Sequence, residues 1–172
     1  MLVRALVVGR FQPLHRGHVA LITRAVEDCQ SVVVGLGSAT AKPSLRNPFT
    51  AAERHQMLAA AFPQEVASGR LRIVDVPDIH NPPRWVEHVL ALTGPLDRVF
   101  GNDDDTLGLF DLAGLKTVSP GLIDREKHEA NTIRVLLAED DPAWRKAVPA
   151  AVVPLLEQWG AGKRLRAMEA YA

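Results

Sequence analysis

Ten residues near the N-terminus, GRFQPLHRGH at positions 9–18, concentrate groups that could bind an anion. His15 and His18 are three residues apart, so on the first turn of a helix they would face the same side. The backbone N–H groups of such a turn and the positive end of the helix dipole attract an anion, and imidazole N–H groups would add donors. Gly17 lacks a Cβ atom and would let a phosphate approach the backbone. The segment therefore predicts a phosphate site.

Two other interpretations of the histidine pair stay open. The imidazoles could cap and pack the start of the helix. They could also share a metal ion, but a zinc site needs a third ligand, and no residue at a matching spacing is obvious. Arg10 and Gly17 beside the pair favour the phosphate site, and no metal ligand is assigned.

Composition limits the kinds of partner. The 172 residues, 47% of them hydrophobic, suffice for the core of one α/β domain without disulfides. The 20 basic and 20 acidic residues cancel, so nothing global indicates nucleic-acid or membrane binding, and any anion site must be local. The lone Cys29 suits a reducing cytoplasm, and Arg4 interrupts the first apolar run, which fits neither a signal peptide nor a membrane span. We expect a cytoplasmic protein.

Short apolar runs alternate with helical patterns along the chain. Strands are predicted at 2–8, 31–37, 70–76, 97–101 and 115–119. Helices are predicted between them at 16–29, 50–62, 83–92 and 103–112. Nearly continuous apolar strands are typical of a parallel sheet covered on both faces, which predicts a doubly wound, five-stranded α/β fold. A loop at 120–129 and helices at 130–139, 142–157 and 161–170 would follow, within one domain made of a core at 1–119 and a C-terminal motif and helical tail at 120–172.

In such a fold, ligands bind outside the carboxyl ends of the strands, where the five segments that follow the strands would share one crevice. The end of the second strand and the start of the segment after it read GLGSA (35–39), and this G-x-G could suggest a dinucleotide fingerprint. The third glycine of that fingerprint is missing, since Thr40 occupies its place, and the motif follows the second strand. A dehydrogenase is therefore disfavoured.

The segment GRFQPLHRGH resembles the extended HxGH signature of archaeal-type nicotinamide mononucleotide (NMN) adenylyltransferases, in the nucleotidylyltransferase superfamily. The resemblance covers most of the chain through NPFTAAER (47–54), WVEH (85–88), FGN (100–102) and NTIR (131–134). It implies a Rossmann-like nucleotidyltransferase fold and a reaction of ATP with NMN that yields NAD and diphosphate, with Mg²⁺. Because the attacking phosphate is already an anion, in-line attack on the α-phosphorus would need positioning and charge stabilisation rather than a protein base.

The resemblance also implies an ATP subsite. It assigns the catalytic contacts to Arg10, His15, His18 and Arg134, with His18 at the α-phosphoryl group in the transition state. The other ATP-binding positions that it implies are Gly9, Phe11, Arg46, Gly101, Asn102, Asn131 and Thr132. The acidic run at 103–105 could touch Mg²⁺ or form a solvated helix start.

An NMN subsite is implied after the second and third strands. Ser38 and Ala39 match family positions beside the mononucleotide, and Trp85 matches a tryptophan that stacks on the nicotinamide ring. Stacking of a cationic pyridinium on indole is favourable, although Trp85 could also be a core residue of its helix. Asn81 is the expected amide-binding residue, but the family asparagine lies one position later, where this chain has Pro82.

The C-terminal motif departs from the family pattern Ser-x-Thr-x-x-Arg. Arg134 is in place, whereas Glu129 replaces the serine, and Asn131 is the expected N-cap of the helix. A carboxylate about 4 Å from a phosphate would cost about 4 kcal/mol at an effective dielectric constant near 20. Glu129 is therefore expected to turn away, to pair with Arg134 or Lys127, or to hold Mg²⁺.

Two alternatives to an NMN adenylyltransferase remain. The chain could transfer the adenylyl group to another phosphate acceptor, such as nicotinate mononucleotide, although Trp85 and Ser38 favour a pyridine ring. It could also be a non-catalytic nucleotide sensor, which the intact histidines and arginines disfavour. Archaeal members of the family are often homo-oligomers, so the resemblance also implies self-association.

Overall fold

The computed structural model describes residues 2–120 and 125–170. Five parallel strands form one sheet in the order β3-β2-β1-β4-β5, which confirms the predicted fold class. The strands are β1 (Arg4–Gly9), β2 (Ser31–Gly37), β3 (Leu71–Val76), β4 (Arg98–Phe100) and β5 (Lys116–Val118).

Helices cover both faces of the sheet. In chain order they are α1 (Arg16–Asp28), α2 (Ala51–Ala61), α3 (Pro63–Ala67), α4 (Pro82–Thr93), α5 (Asp104–Leu112), α6 (Arg125–Ala138), α7 (Trp144–Ala147), α8 (Val153–Gln158) and α9 (Ala161–Ala170). None of those in the described part of the chain is long and apolar enough to cross a membrane.

Strand β1 lies in the centre of the sheet. Leu6 is in register with Val33 of β2 on one side and with Val99 of β4 on the other. The chain builds outwards from β1 to β3 and then returns to β4, so the strand order reverses at the β1–β4 boundary. The carboxyl ends of these two strands form the switch point at which ligands bind in this fold class.

Successive residues of β1 point to opposite faces and so feed two apolar clusters. Ala5 and Val7 belong to a cluster that includes Leu21 of α1 and Ile133 of α6. Leu6 belongs to the other, which includes Val89 of α4. The C-terminal helices therefore pack on the same face of the sheet as α1.

The C-terminal region corrects two predictions. Helix α6 begins at Arg125 rather than after a loop at 120–129, so Asn131 lies inside the helix and is not its N-cap. The charged segment REKHE at 125–129 lacks apolar periodicity but consists largely of residues with good helix propensity. The single helix predicted at 142–157 is also wrong, because α7 ends before Pro149 and α8 starts anew at Val153.

Candidate active site

Two neighbouring crevices open at the carboxyl ends of the strands. The first has a volume of about 410 Å³ and lies among the segments after β1 and β4 and helix α6. The second, of about 500 Å³, extends toward the start of α4. The residues common to both are Arg10, Ser38, Arg46, Asp78, Trp85 and Thr106. The site therefore has two chambers that share one wall.

Most of the predicted site residues line these chambers. The first chamber contains Gly9, Arg10, Phe11, His18, Ser38, Arg46, Trp85, Gly101, Asn102 and Arg134. Asn81 lines the second chamber. The linings of the two chambers do not include Ala39, His15, Asn131 or Thr132. Asn131 and Thr132 are exposed on α6, whereas Ala130 and Arg134 face the first chamber from the same helix.

His15 and His18 cap the start of α1. The Nδ1 atom of His15 accepts hydrogen bonds from the backbone N–H groups of Gly17 at 3.1 Å and His18 at 3.4 Å. The Nδ1 atom of His18 accepts from the backbone N–H of His15 at 3.1 Å, and the two rings stack with centroids 3.6 Å apart. Each neutral ring therefore carries its proton on Nε2 as a donor. Capping and anion binding are compatible, because they use different nitrogen atoms.

Gly17 leaves space for this cap. A Cβ atom at Gly17 would lie 3.0 Å from Cε1 of His15 and 2.9 Å from Oε2 of Glu129. The space above the first turn of α1 is therefore shared by an imidazole and a carboxylate, rather than open to the solvent.

Glu129 lies beside His15, which is not among its expected partners. Its Oε2 atom lies 3.2 Å from Nδ1 of His15. The side chain of Arg134 instead donates to the backbone carbonyl of Gln12 at 2.8 Å. The side chain of Lys127 lies outside the described residues. The carboxylate thus lies against the histidine cap.

Three arginines give the first chamber its charge. Burial lowers the pKa of Arg134, and the neighbouring charges of Arg10 and Arg46 lower it further. Burial and Arg46 also lower the pKa of Arg10, while Asp78 opposes that effect. Since guanidinium groups stay protonated in proteins, the three charges repel one another. A bound polyanion would relieve this repulsion.

Gln12 joins three parts of the site. Its buried side-chain amide donates to the backbone carbonyl of Phe49 at 3.0 Å and accepts from the Phe49 N–H at 2.9 Å. Its own carbonyl accepts the hydrogen bond from Arg134. Gln12 thereby fixes Arg134 and the segment before α2 relative to the first loop.

Arg54 holds the loops after β1 and β2 together. It is 1% exposed and donates to the backbone carbonyls of Arg10 at 2.8 Å, Gly37 at 2.7 Å and Ser38 at 3.3 Å. It follows the capping box of Thr50 and Glu53 at the start of α2. Burial lowers its pKa, and the charge of Asp75 opposes that effect.

The second chamber is lined by three of the four residues expected beside a mononucleotide, namely Ser38, Asn81 and Trp85, but not by Ala39. Ser38 has a left-handed backbone (φ 49°) and donates from its hydroxyl to Oδ1 of Asp78 at 3.3 Å. Trp85 is half-buried and contacts Phe110 edge-on, with ring centroids 5.6 Å apart. Trp85 therefore packs on the core and also lines both chambers.

Asn102 brings an unsatisfied acceptor to the first chamber. The residue is 3% exposed, and its Oδ1 atom has no hydrogen-bond partner within the described part of the chain. A buried acceptor without a donor destabilises a fold by about 1–3 kcal/mol. A ligand that donates a hydrogen bond would remove this cost.

Curated relatives match nearly the whole chain. The nicotinamide-nucleotide adenylyltransferase of Picrophilus torridus is 35% identical over 95% of this chain and 96% of its own length. That of Ignicoccus hospitalis is 36% identical over 95% of this chain and 96% of its own length. The cytidylyltransferase-like family model matches residues 6–75. The chain belongs to the nicotinamide-nucleotide adenylyltransferase family.

The fold of this family member is also found in solved structures. A crystal structure of a bifunctional NMN adenylyltransferase/ADP ribose pyrophosphatase from Francisella tularensis, complexed with AMP and a manganese ion, superposes with a TM-score of 0.75. The match has 16% identity and covers 99% of this chain and 52% of that chain. At this low sequence identity, the structural similarity shows that the two proteins share a fold.

Gln12 and Arg54 lie within the family motifs of this adenylyltransferase-family chain, but the resemblance assigns them no role, and it assigns none to Asp78. Gln12 and Arg54 act through backbone carbonyls, a role that no local sequence signal reveals. Asp78 has a weak sequence signal, because it lies two residues after β3 in a segment expected to border the crevice.

A metal ion has few protein ligands here. The described residues contain no group of three or more His, Cys, Asp or Glu side chains that could hold one. Helix α5 begins at Asp104, which confirms that the acidic run includes a helix start. The Asp103 side chain accepts a hydrogen bond from the Thr106 hydroxyl at 2.6 Å. Asp78 and Asp103 line the first chamber. This donor set fits a cation bound mainly by substrate phosphates.

Proposed function

We propose that the chain transfers the adenylyl group of ATP to NMN and releases NAD and diphosphate. The observation that carries this proposal is the shared wall of the two chambers, which contains Arg10 and Arg46. An ATP in the first chamber and a mononucleotide in the second would bring their phosphates together beside these guanidinium groups. Two polyanions held in this way need no covalent intermediate.

The residues of the first chamber have separate roles in this reaction. Arg46 and Arg134 bind the triphosphate, and Arg10 lies between the two phosphate groups. His18 donates from Nε2 to the α-phosphoryl group as charge develops in the transition state. The Oδ1 atom of Asn102 accepts from the adenosine part of ATP, which satisfies the buried oxygen.

In the second chamber, Trp85 stacks on the nicotinamide ring. Ser38, held by Asp78, lies beside the mononucleotide, and Asn81 binds the carboxamide. The NMN phosphate attacks as an anion, so no side chain has to remove a proton.

The cation that fits these donors is Mg²⁺, which Asp78 or Asp103 would hold together with the ATP phosphates. When bound, it neutralises the negative charge that accumulates on the leaving diphosphate. The cytoplasmic location and the homo-oligomeric state stay predictions.

Purified chain incubated with ATP, Mg²⁺ and either NMN or nicotinate mononucleotide tests the proposal. We expect NAD from the first mixture, measured by chromatography. Formation of deamido-NAD alone would instead identify an acceptor preference for the acid. ATP binding without either product would contradict the proposal and favour a nucleotide sensor.

A further inference from the structure

Glu129 places a carboxylate beside the proposed triphosphate site. Its Oε2 atom lies 3.2 Å from Nδ1 of His15 and 2.9 Å from the position of a Cβ atom built on Gly17. The Glu129 side chain is 42% exposed, whereas that of His15 is fully buried. The carboxylate therefore covers the first turn of α1 from the solvent side.

The surroundings of Glu129 are those of an anion site. The N-terminal turn of α1 carries the positive end of the helix dipole. Ala130, the next residue on α6, lines the first chamber, as do Arg10, Arg46 and Arg134. A carboxylate is stabilised in this field while no phosphate is present. It is repelled once a phosphate enters.

The hold on Glu129 is weak. Among the described residues its polar contact is with Nδ1 of His15, the same atom that accepts hydrogen bonds from the N–H groups of Gly17 and His18. In the neutral ring this atom is an acceptor, and an acceptor cannot donate to a carboxylate. The local field rather than a directional hydrogen bond thus keeps Glu129 in place, and its exposure allows it to swing into solvent.

We propose that Glu129 is an internal anion that occupies the edge of the triphosphate site and is displaced when ATP binds. The inference rests on the proposed function, since it concerns the same site. Its consequence is that Glu129 weakens the binding of both ATP and diphosphate. Weaker binding of diphosphate speeds its release after the reaction. Glu129 takes no part in the bond-forming step.

The variants Glu129→Gln and Glu129→Ser test this inference. Gln keeps the size of the side chain and removes its charge, and Ser also removes its bulk. We expect calorimetric titration with Mg²⁺ and diphosphate, and separately with Mg²⁺ and ATP, to give a Kd lower by roughly 3- to 30-fold in both variants. The gain should shrink as salt is raised, because the effect is electrostatic.

Glu139→Gln is the matched control, since Glu139 is exposed just beyond the C-terminal end of α6, ten positions along the chain from Glu129 and the histidine cap. It should leave both Kd values unchanged. An unchanged or higher Kd in folded Glu129→Gln protein would overturn the inference. Failure of the wild type and of both Glu129 variants to bind diphosphate would also overturn it. Binding is measured without turnover. A chain that binds ATP but forms no NAD would contradict the proposed function and still decide the role of Glu129.

Discussion

The histidine pair shows how one side chain can serve the fold and the site. The Nδ1 atoms of His15 and His18 accept backbone hydrogen bonds at the start of α1. The proposed catalytic donor is Nε2 of His18, on the opposite side of the ring. Replacing the whole ring would therefore disturb both functions at once, and a useful variant has to separate them.

His18→Asn makes this separation, because the asparagine Oδ1 can replace Nδ1 as the cap while no donor remains at the Nε2 position. We expect its kcat to fall by about 10²–10³-fold, the loss typical of one transition-state donor, with little change in Tm. His18→Ala should show the same loss and also be less stable by about 1 kcal/mol, since it removes the cap.

His55→Ala is the control for these kinetics, because His55 is paired with Asp75 on the surface and lines neither chamber. Near-normal turnover in His18→Asn would refute the role of His18 in the transition state.

Part of the candidate site can be predicted from the types of its residues. His18, Arg10 and Arg134 were identifiable because their chemistry suits phosphates and their motifs are specific, and all three line the first chamber. Thr132 carries an equally suitable hydroxyl, yet the rotation of α6 turns it to the solvent. Gln12 could not be predicted, since its contacts with Phe49 and Arg134 depend on long-range packing.

At the scale of elements, Arg54 of α2 joins the loops after β1 and β2. One buried guanidinium group satisfies carbonyls in both loops. These loops supply Arg10 and Ser38 to the shared wall of the chambers. The spacing between the two substrates therefore depends on α2.

Arg54→Met should leave these buried carbonyls without donors. We expect a loss of about 3 kcal/mol or more in unfolding free energy, measured by urea titration, together with higher KM for both ATP and NMN. Arg54→Lys keeps the charge and some of the donors. Its unfolding free energy and its KM values should lie between those of Arg54→Met and the wild type.

Arg24→Met provides the comparison, because Arg24 pairs with Asp28 on the exposed side of α1. A rise in KM for ATP alone in Arg54→Lys would contradict the coupling of the two loops.

Some elements were predictable and others were not, for physical reasons. The strands stand out because burial on both sides demands continuous apolar residues, as in SVVVGLG of β2. The start of α6 was misplaced because the family motif suggested a cap at Asn131, while the polar turns before it carry no apolar pattern. Pro149 and Pro154 indicate a break before α8, but a prediction from helical periodicity alone does not take these prolines into account.

At the scale of the whole molecule, an ion pair between Arg164 of α9 and Glu53 of α2 joins these two helices. The two side chains form hydrogen bonds of 2.7 and 2.8 Å, and Arg164 also donates to the Pro48 carbonyl at 3.0 Å. Burial would raise the pKa of Glu53, but hydrogen bonds from Arg164 and Thr50 outweigh it, so the pKa lies below its usual value. The one-domain organisation of the chain stays a prediction.

The lowered pKa makes this link sensitive to acid. A carboxyl group with a lower pKa in the folded state stabilises the fold above its unfolded pKa, near 4.3, and loses that effect as pH falls through the folded value. We expect Glu53→Gln to reduce the unfolding free energy at pH 7 by about 1–3 kcal/mol. The difference from the wild type should narrow below about pH 4, as measured by denaturant titrations across pH.

Glu157→Gln removes a half-exposed partner of Arg145 and serves as the control, with a smaller effect expected at every pH. If Glu53→Gln lowered the unfolding free energy by the same amount from pH 7 to pH 3, ionisation of Glu53 would not contribute to stability.

The hydrogen bond from Arg134 to the carbonyl of Gln12 joins residues 122 positions apart. During synthesis, the first loop leaves the ribosome long before Arg134, the proposed triphosphate ligand that is hydrogen-bonded to it. We therefore expect a nascent chain with a finished central strand to stay inactive until α6 has docked. Partial unfolding of the tail would likewise abolish activity before the sheet melts, so enzyme assays should detect early damage that spectroscopy of the sheet misses.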